Sequence, residues 1–236
     1  MERARRLGRW AGLVYLITVV TGIFCLMYVP SAIKADGPLA TLDAILAHAT
    51  LYRAGIAVLL IDQAAFVILP LVLYQVFATT HRHTAIAMVA LALAGIPVAL
   101  MAAVYRLDAI ELLTNAKLAQ ALSHDTVQAM ALHALRSYSN SLFVASLFWG
   151  LWLLPFGYMA YVTRRIPRVL GALLMLAGVC YVISVLGELL MPGFGDLPFG
   201  DYLMLPPALG EIGTCLWLLA FGVRAMTQQE GSSAHG

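Results

Sequence analysis

The chain has 236 residues, of which 62% are hydrophobic and 11% are charged, and its formal net charge is +2. With a mean hydropathy of +0.88, it has too little polar surface to cover a body surrounded by water, which excludes a soluble globular domain. The small positive charge reflects membrane topology and does not indicate nucleic-acid binding.

Six apolar stretches are each long enough to cross a bilayer, which takes about 20 apolar residues. They cover residues 10–32, 54–78, 84–105, 141–162, 170–191 and 202–226. Lipid offers the backbone no hydrogen-bond partners, so each stretch must be a helix. We therefore predict an all-α integral membrane bundle of six transmembrane helices, in which residues 1–236 form a single transmembrane domain. The first stretch is too long for a signal peptide and lacks a small-residue cleavage site, so we expect a retained helix.

Basic residues predict how the bundle is oriented. Arginines precede the first span, lie at the end of the last, and occupy the short connections between spans two and three and between spans four and five. They are Arg3, Arg5, Arg6, Arg9, Arg82, Arg164, Arg165, Arg168 and Arg224. Cytoplasmic loops carry an excess of such residues, so both termini are expected in the cytoplasm.

The remaining connections, on the opposite side, are longer. Residues 38–52 and 106–136 have helical periodicity and predict an outer helical cap, with Asp36 capping the first segment and a break at Ser123 in the second. Residues 191–201 are rich in Gly and Pro and predict an outer loop.

Acidic residues inside the apolar spans are the candidates for chemistry. Asp62 comes nine residues after Arg53, or roughly 13 Å of helix rise, which places it near the middle of its span. A carboxylate facing lipid at that depth would cost several kcal/mol, so Asp62 should face the bundle interior. Glu188 and Glu211 lie in the fifth and sixth spans, and all three are candidate catalytic or proton-transfer residues. A purely structural hydrogen bond between helices is the alternative for Asp62.

Polar side chains on several helix faces predict an outward-facing pocket with an apolar interior. The candidate ligand-binding residues are Arg53, Tyr105, Asp108, Arg136, Asn140 and Tyr181. The competing interpretation is a structural plug that closes the end of the bundle through ion pairs. In it, Arg53, Arg106 and Arg136 pair with Asp108, Glu111, Glu188 and Glu211.

No metal or cofactor is predicted. His48 and His133 are the best placed histidines, but the chain has no metal-ligand spacing or haem-attachment signature. The three cysteines stand alone inside spans, without a C-x-x-C pair, which argues against disulfide scaffolding and thiol redox chemistry.

Four motifs carry a resemblance to a known family. They are Arg9-x-x-Gly12-x-x-Tyr15-Leu16-x-Thr18-x-x-x-Gly22, Thr41 through His48 to Arg53-x-Gly55, Pro167-x-x-Leu170-Gly171 leading to Tyr181, and Glu211 before Leu216-Trp217-Leu218-Leu219. In these the chain resembles a family of bacterial multi-spanning membrane proteins, domain of unknown function 4386. The resemblance implies a location in the bacterial cytoplasmic (inner) membrane, and it implies no catalytic residues.

Three functional classes stay open. The first is a protein that binds or processes an amphipathic small molecule or lipid in the pocket. The second is a small transporter or a proton- or ion-coupled permease that uses Asp62. The third is a structural or accessory membrane subunit without its own chemistry, held by helix packing at small residues. The expected partners are the lipid bilayer and such a ligand, with homo-oligomerisation left open.

Overall fold

The computed structural model describes residues 2–198 and 200–224, and every regular element within these ranges is helical. The all-α prediction is confirmed for this part of the chain. The last two residues of the predicted span 202–226, and Phe199 of the predicted loop, lie outside it.

The helices follow one another with short connections. They are α1 (Glu2–Gly22), a π-helical segment (Ile23–Tyr28), α2 (Val29–Ile33), α3 (Pro38–Ala47), α4 (Ala49–Thr114), α5 (Ala116–Ala121), α6 (His124–Leu151), α7 (Leu153–Thr163), α8 (Arg168–Leu190), a 3-10 turn (Phe194–Asp196), α9 (Gly200–Leu203) and α10 (Leu205–Phe221).

Four helical stretches in the described ranges are long and apolar enough to cross a membrane: Ala4–Ile33, Ala49–Thr114, His124–Thr163 and Arg168–Leu190. The second contains a sharp kink, because the backbone of His81 is non-helical (φ −133°, ψ 62°). The two arms, 49–80 and 82–114, fold back on each other, so the Arg106 guanidinium lies 4.7 Å from the centre of the Tyr52 ring. The kink falls in the predicted connection between spans two and three.

Two prolines shape helices that the sequence predicts as uninterrupted. Pro30 has no N–H to donate to the carbonyl of Leu26, and the turn before it widens into the π-helical segment Ile23–Tyr28. Pro155 likewise cannot donate to the carbonyl of Leu151, which is where α6 ends before α7 begins.

The predicted outer helices are present but divided. The segment 38–52 breaks at His48, and its N-terminal cap is Gly37 (φ 111°) without any side-chain hydrogen bond, so the prediction of Asp36 as the cap was wrong. The segment 106–136 has the predicted break before α6, and Ser123 is the N-terminal cap of that helix. It also has an additional break at Asn115. The Asn115 side chain accepts hydrogen bonds from two backbone N–H groups of α5, so α4 ends before the break that the periodicity predicts at Ser123.

Close helix packing depends on glycine. A Cβ atom at Gly178 of α8 would lie 2.7 Å from the carbonyl oxygen of Gly150 in α6, and one at Gly171 would lie 2.6 Å from the backbone nitrogen of Tyr161 in α7. Small residues at such positions let helix backbones approach closely in membrane proteins. Gly178 and Gly171 thus allow α8 to pack closely against α6 and α7.

The basic connections meet at one end of the bundle. An Arg9 guanidinium nitrogen donates to the Ala220 carbonyl (3.3 Å), and the Arg224 backbone N–H donates to the Arg165 carbonyl (2.9 Å). The Arg165 side chain in turn donates to the carbonyl of Val76, just before the kink in α4. Arg9, Arg165 and Arg224, which are three of the arginines used to predict orientation, therefore share one end of the fold.

Candidate functional site

Two of the candidate carboxyl groups face the same cavity. It has a volume of about 440 Å³ and lies between α1, the first arm of α4, the α6–α7 junction, α8 and α10. Its wall includes Tyr15, Asp62, Phe66, Trp149, Trp152, Tyr181 and Glu211. We call it the acidic cavity. Asp62 and Glu211 come from distant parts of the chain, so their convergence is a product of the fold.

Asp62 is held by neutral donors. Its side chain is 7% exposed. The Thr21 hydroxyl donates to one carboxyl oxygen (2.8 Å) and the Gln63 side-chain amide donates to the other (2.9 Å). The prediction that Asp62 faces the bundle interior is therefore confirmed.

Glu211 has a matching arrangement. The Tyr15 hydroxyl donates to one carboxyl oxygen (3.1 Å) and the Tyr181 hydroxyl lies 3.4 Å from the other. Both carboxyl groups thus have one neutral donor on each oxygen. None of the described residues that line the acidic cavity is basic, so neither acid is neutralised there by the protein itself.

Aromatic side chains form much of the cavity wall, and one of them lies at the break between α6 and α7. Trp152 sits at that break, and its ring packs edge-on against Phe66 (5.4 Å between ring centres) and stacks on Phe156 (5.4 Å). Tyr15 lies 6.4 Å from the same indole. Aromatic rings around a few polar groups are typical of sites for small amphipathic ligands.

The π-helical segment forms another side of the acidic cavity, through Ile23, Leu26 and Met27. Single π turns inside α-helices are rare and frequently occur at functional sites. Sequence reasoning missed this feature. The signal that could have found it is Pro30, near the end of an otherwise continuous apolar span.

Other predicted site residues lie elsewhere. Tyr105, Asp108 and His133 line a wider groove of about 860 Å³ between the second arm of α4 and α6, together with Glu111 and Asp125. This groove and the acidic cavity have no lining residue in common. The residues expected in one pocket are thus divided between two.

Three predicted residues are exposed and line neither space: Arg53, Arg136 and Asn140. Glu188 accepts hydrogen bonds from the backbone N–H groups of Gly193 (2.9 Å) and Gly195 (3.0 Å), so it anchors the loop that follows α8. This contact gives Glu188 a structural role that its sequence position did not indicate.

Metal coordination has little geometric support in the described residues, where no group of three His, Cys, Asp or Glu side chains could hold an ion. His48 and His133 are both exposed. The three cysteines are buried free thiols.

The sequence model of the family described as domain of unknown function 4386 (DUF4386) matches residues 10–222. The chain belongs to this family. The match includes every residue of the acidic cavity, so the cavity lies entirely within the DUF4386 domain. No curated protein and no solved structure matches the chain. The resemblance drawn from the sequence motifs is confirmed, and the family's description assigns no activity.

Proposed function

We propose that this DUF4386 protein binds an amphipathic small molecule or lipid in the acidic cavity, with a cationic or hydrogen-bond-donating group directed at Asp62 and Glu211. The observation that carries the proposal is the convergence of two carboxyl groups, without a basic partner, on one aromatic-walled cavity. Buried acids normally pair with a cation or lose their charge, because an unpaired charge in an apolar setting is costly. A ligand amine would supply the missing partner, and aromatic faces also attract cations.

The cavity volume of about 440 Å³ lies within the usual range of roughly 300–1,000 Å³ for small-molecule sites. Asp62 lies near the middle of the first arm of α4, within the apolar stretch Ala49–Thr114. Tyr15 lies near the middle of the apolar stretch Ala4–Ile33. A ligand there would be surrounded by the membrane-spanning part of the bundle. An apolar tail and a polar head would match the walls and the carboxyl groups, respectively.

The proposal includes six transmembrane passes. The kinked helix α4 would cross twice and α10 would cross once, in addition to the other three long apolar stretches. The end that gathers the arginines would face the cytoplasm of a bacterial cell, with both termini there. Single cysteines introduced at positions 124 and 197 of a variant lacking the three native cysteines should react with an impermeant reagent from outside. Cysteines at positions 82 and 165 should stay protected in intact cells, and the reverse pattern would invert the orientation.

Ligand binding is tested with a matched pair of probes, dodecylamine and dodecanol, which share a chain and differ in charge. Thermal unfolding of the purified protein in a neutral detergent should shift upward with the amine more than with the alcohol. The Asp62→Asn and Glu211→Gln variants should lose that difference. Asp43→Asn, which removes an exposed acid of α3, is the matched control and should respond like the parent. Equal responses of all four proteins would contradict the proposal and favour a structural role.

A second function, proton- or ion-coupled permeation, is supported by one specific feature. Asp62 lines the cavity halfway along the first arm of α4, the depth at which coupling sites of transporters are found. Proteoliposomes containing a pH-sensitive dye would report proton entry that depends on a membrane potential. Proton entry that is lost in Asp62→Asn and kept in Asp43→Asn would establish permeation. Proton entry no faster than in empty liposomes would exclude this second function.

A further inference from the structure

Arg106, in the second arm of α4, is a buried cation without an acidic partner. Its side chain is 2% exposed. The guanidinium lies between the rings of Tyr52 and Tyr138, 4.7 and 4.9 Å from their centres. Among the described residues, no carboxylate pairs with it, although Asp108 and Glu111 follow on the same helix. The arginine is therefore held by aromatic faces, which attract a cation and leave its charge in place.

The hydrogen bonds of Arg106 are also incomplete. A guanidinium has five N–H donors, and here one nitrogen, Nη1, donates to the carbonyl of Cys25 at 3.4 Å. The buried Nε has no partner. That carbonyl is available because of the π turn, since the Val29 N–H donates to Phe24 and Pro30 has no N–H to offer Cys25. Even with this acceptor, the guanidinium keeps donors for a further group.

A cavity of about 320 Å³ lies beside the guanidinium. It lies between α2, α3, both arms of α4 and α6, and its wall includes Arg106, Tyr52, Tyr138 and Lys34. The Tyr52 hydroxyl, on a side chain that is 2% exposed, has no hydrogen-bond partner. None of the described lining residues is acidic. We call this space the arginine cavity, and it presents hydrogen-bond donors on two cations and one phenol.

The cavity lies near the end of a candidate membrane span. Lys34 directly follows Ile33, the last residue of the apolar stretch Ala4–Ile33. Arg106 is about 12 Å of helix rise before α4 ends at Thr114. Polar headgroups occupy this level of a bilayer, whereas a cavity at mid-depth would meet only acyl chains.

We propose that the arginine cavity binds a phosphate group, through Arg106 and Tyr52 from within and Lys34 from its rim. Arginine matches phosphate because its planar fork can donate two parallel hydrogen bonds to two oxygens. The phosphate would also accept from the Tyr52 hydroxyl, which then would not be left unsatisfied. Phosphate can reach this site as a phospholipid headgroup or as a free ion. This site is separate from the acidic cavity, and its occupant carries the opposite charge.

The test is thermal unfolding of the purified full chain in a neutral detergent with three additions. These are inorganic phosphate, short-chain phosphatidylglycerol and short-chain phosphatidylcholine. Sodium chloride at the same ionic strength is the control for inorganic phosphate. Stabilisation by inorganic phosphate would identify a free-ion site. Stabilisation by phosphatidylglycerol alone would identify a headgroup site, because phosphatidylcholine presents the same phosphate next to a repelled cation. The proposal would be overturned if neither inorganic phosphate nor phosphatidylglycerol stabilised the protein, or if both lipids stabilised it equally.

Variants locate the effect. Arg106→Gln should raise the probe concentration needed for half the stabilisation by about tenfold or more, since it removes charged hydrogen bonds. Tyr52→Phe removes one hydroxyl that has no partner in the protein, so this variant should fold even if Arg106→Gln does not, and it should weaken binding severalfold. Lys117→Gln removes an exposed charge of α5 and is the matched control, expected to bind like the parent. Unchanged binding in Tyr52→Phe and Arg106→Lys would also overturn the assignment.

Discussion

Replacing Glu211 with leucine should destabilise the protein by an amount that follows from its two tyrosine partners. The Tyr15 hydroxyl, 3.1 Å from Glu211, belongs to a side chain that is 2% exposed, so it would lose its acceptor in a place with little access to water. A stranded buried donor costs about 1–3 kcal/mol. The Tyr181 hydroxyl is farther away at 3.4 Å and only half-buried, so its loss should add about 1 kcal/mol or less. We expect a total of about 1–4 kcal/mol.

Matched substitutions separate this effect from a general loss of packing. Glu211→Gln keeps an acceptor oxygen and should cost about 1 kcal/mol or less. Thr214→Val, one turn further along α10, removes a fully buried hydroxyl that has no hydrogen-bond partner, and it should be neutral or slightly stabilising. Adding Tyr15→Phe to Glu211→Leu removes the stranded hydroxyl and should recover about 1–2 kcal/mol.

The assay is reversible unfolding in mixed micelles of a neutral detergent and sodium dodecyl sulfate, followed by tryptophan fluorescence. Trp149 and Trp152 line the cavity next to the substituted position, so their emission should report the transition. A Glu211→Leu protein as stable as the parent would refute the reasoning, because it would mean that water satisfies the tyrosines. A loss that Tyr15→Phe does not reduce would point to packing instead of hydrogen bonding.

Three further predictions concern parts of the structure away from the acidic cavity. Gly178→Val should lower the free energy of unfolding by about 1–3 kcal/mol in the same assay, because its side chain would meet the carbonyl of Gly150, 2.7 Å from the Cβ position. Glu188→Ala should speed amide hydrogen exchange in the loop after α8, measured by mass spectrometry, while exchange in the other helices stays unchanged. Arg165→Ala should increase proteolysis near the kink in α4, since it removes the side-chain donor to the Val76 carbonyl, and an unchanged digestion rate would contradict that role.

The sequence predicted the helices well because lipid leaves the backbone no alternative. Long apolar stretches with charged ends are sufficient to place α1, α8 and both arms of α4. Breaks within them were harder to predict. The π-helical segment and the α6–α7 junction depend on how the neighbouring helices accommodate Pro30 and Pro155, and a proline inside a transmembrane helix is compatible with several outcomes.

The two carboxyl groups of the candidate site and Tyr181 were predictable from the sequence, whereas their grouping with the other lining residues was not. Apolar surroundings single out Asp62 and Glu211, because a carboxyl group in such a span needs a reason to be there. Their convergence requires knowing that α1 packs against both α4 and α10, which places Tyr15 and Thr21 between the two acids. Helix periodicity gives the direction of a side chain around its own axis and does not give the neighbour that it meets. For the same reason, the sequence suggested a salt bridge for Arg106, where the structure has two tyrosine rings.

The separation of opposite charges is the strongest argument that these cavities serve a ligand. In a bundle that needed its buried charges only for packing, Arg106 would be expected beside Asp62 or Glu211, because a buried charge is best tolerated with its counter-charge. Instead both acids line one cavity and the arginine lines another. The π-helical segment lies between the two, with side chains on the wall of the first and the Cys25 carbonyl bound to the cation of the second. Hydrogen bonds to hydroxyls, an amide and a carbonyl lessen the cost of each charge without neutralising it. In the proposed function a ligand supplies the neutralising partner, and protonation is the alternative for the two acids.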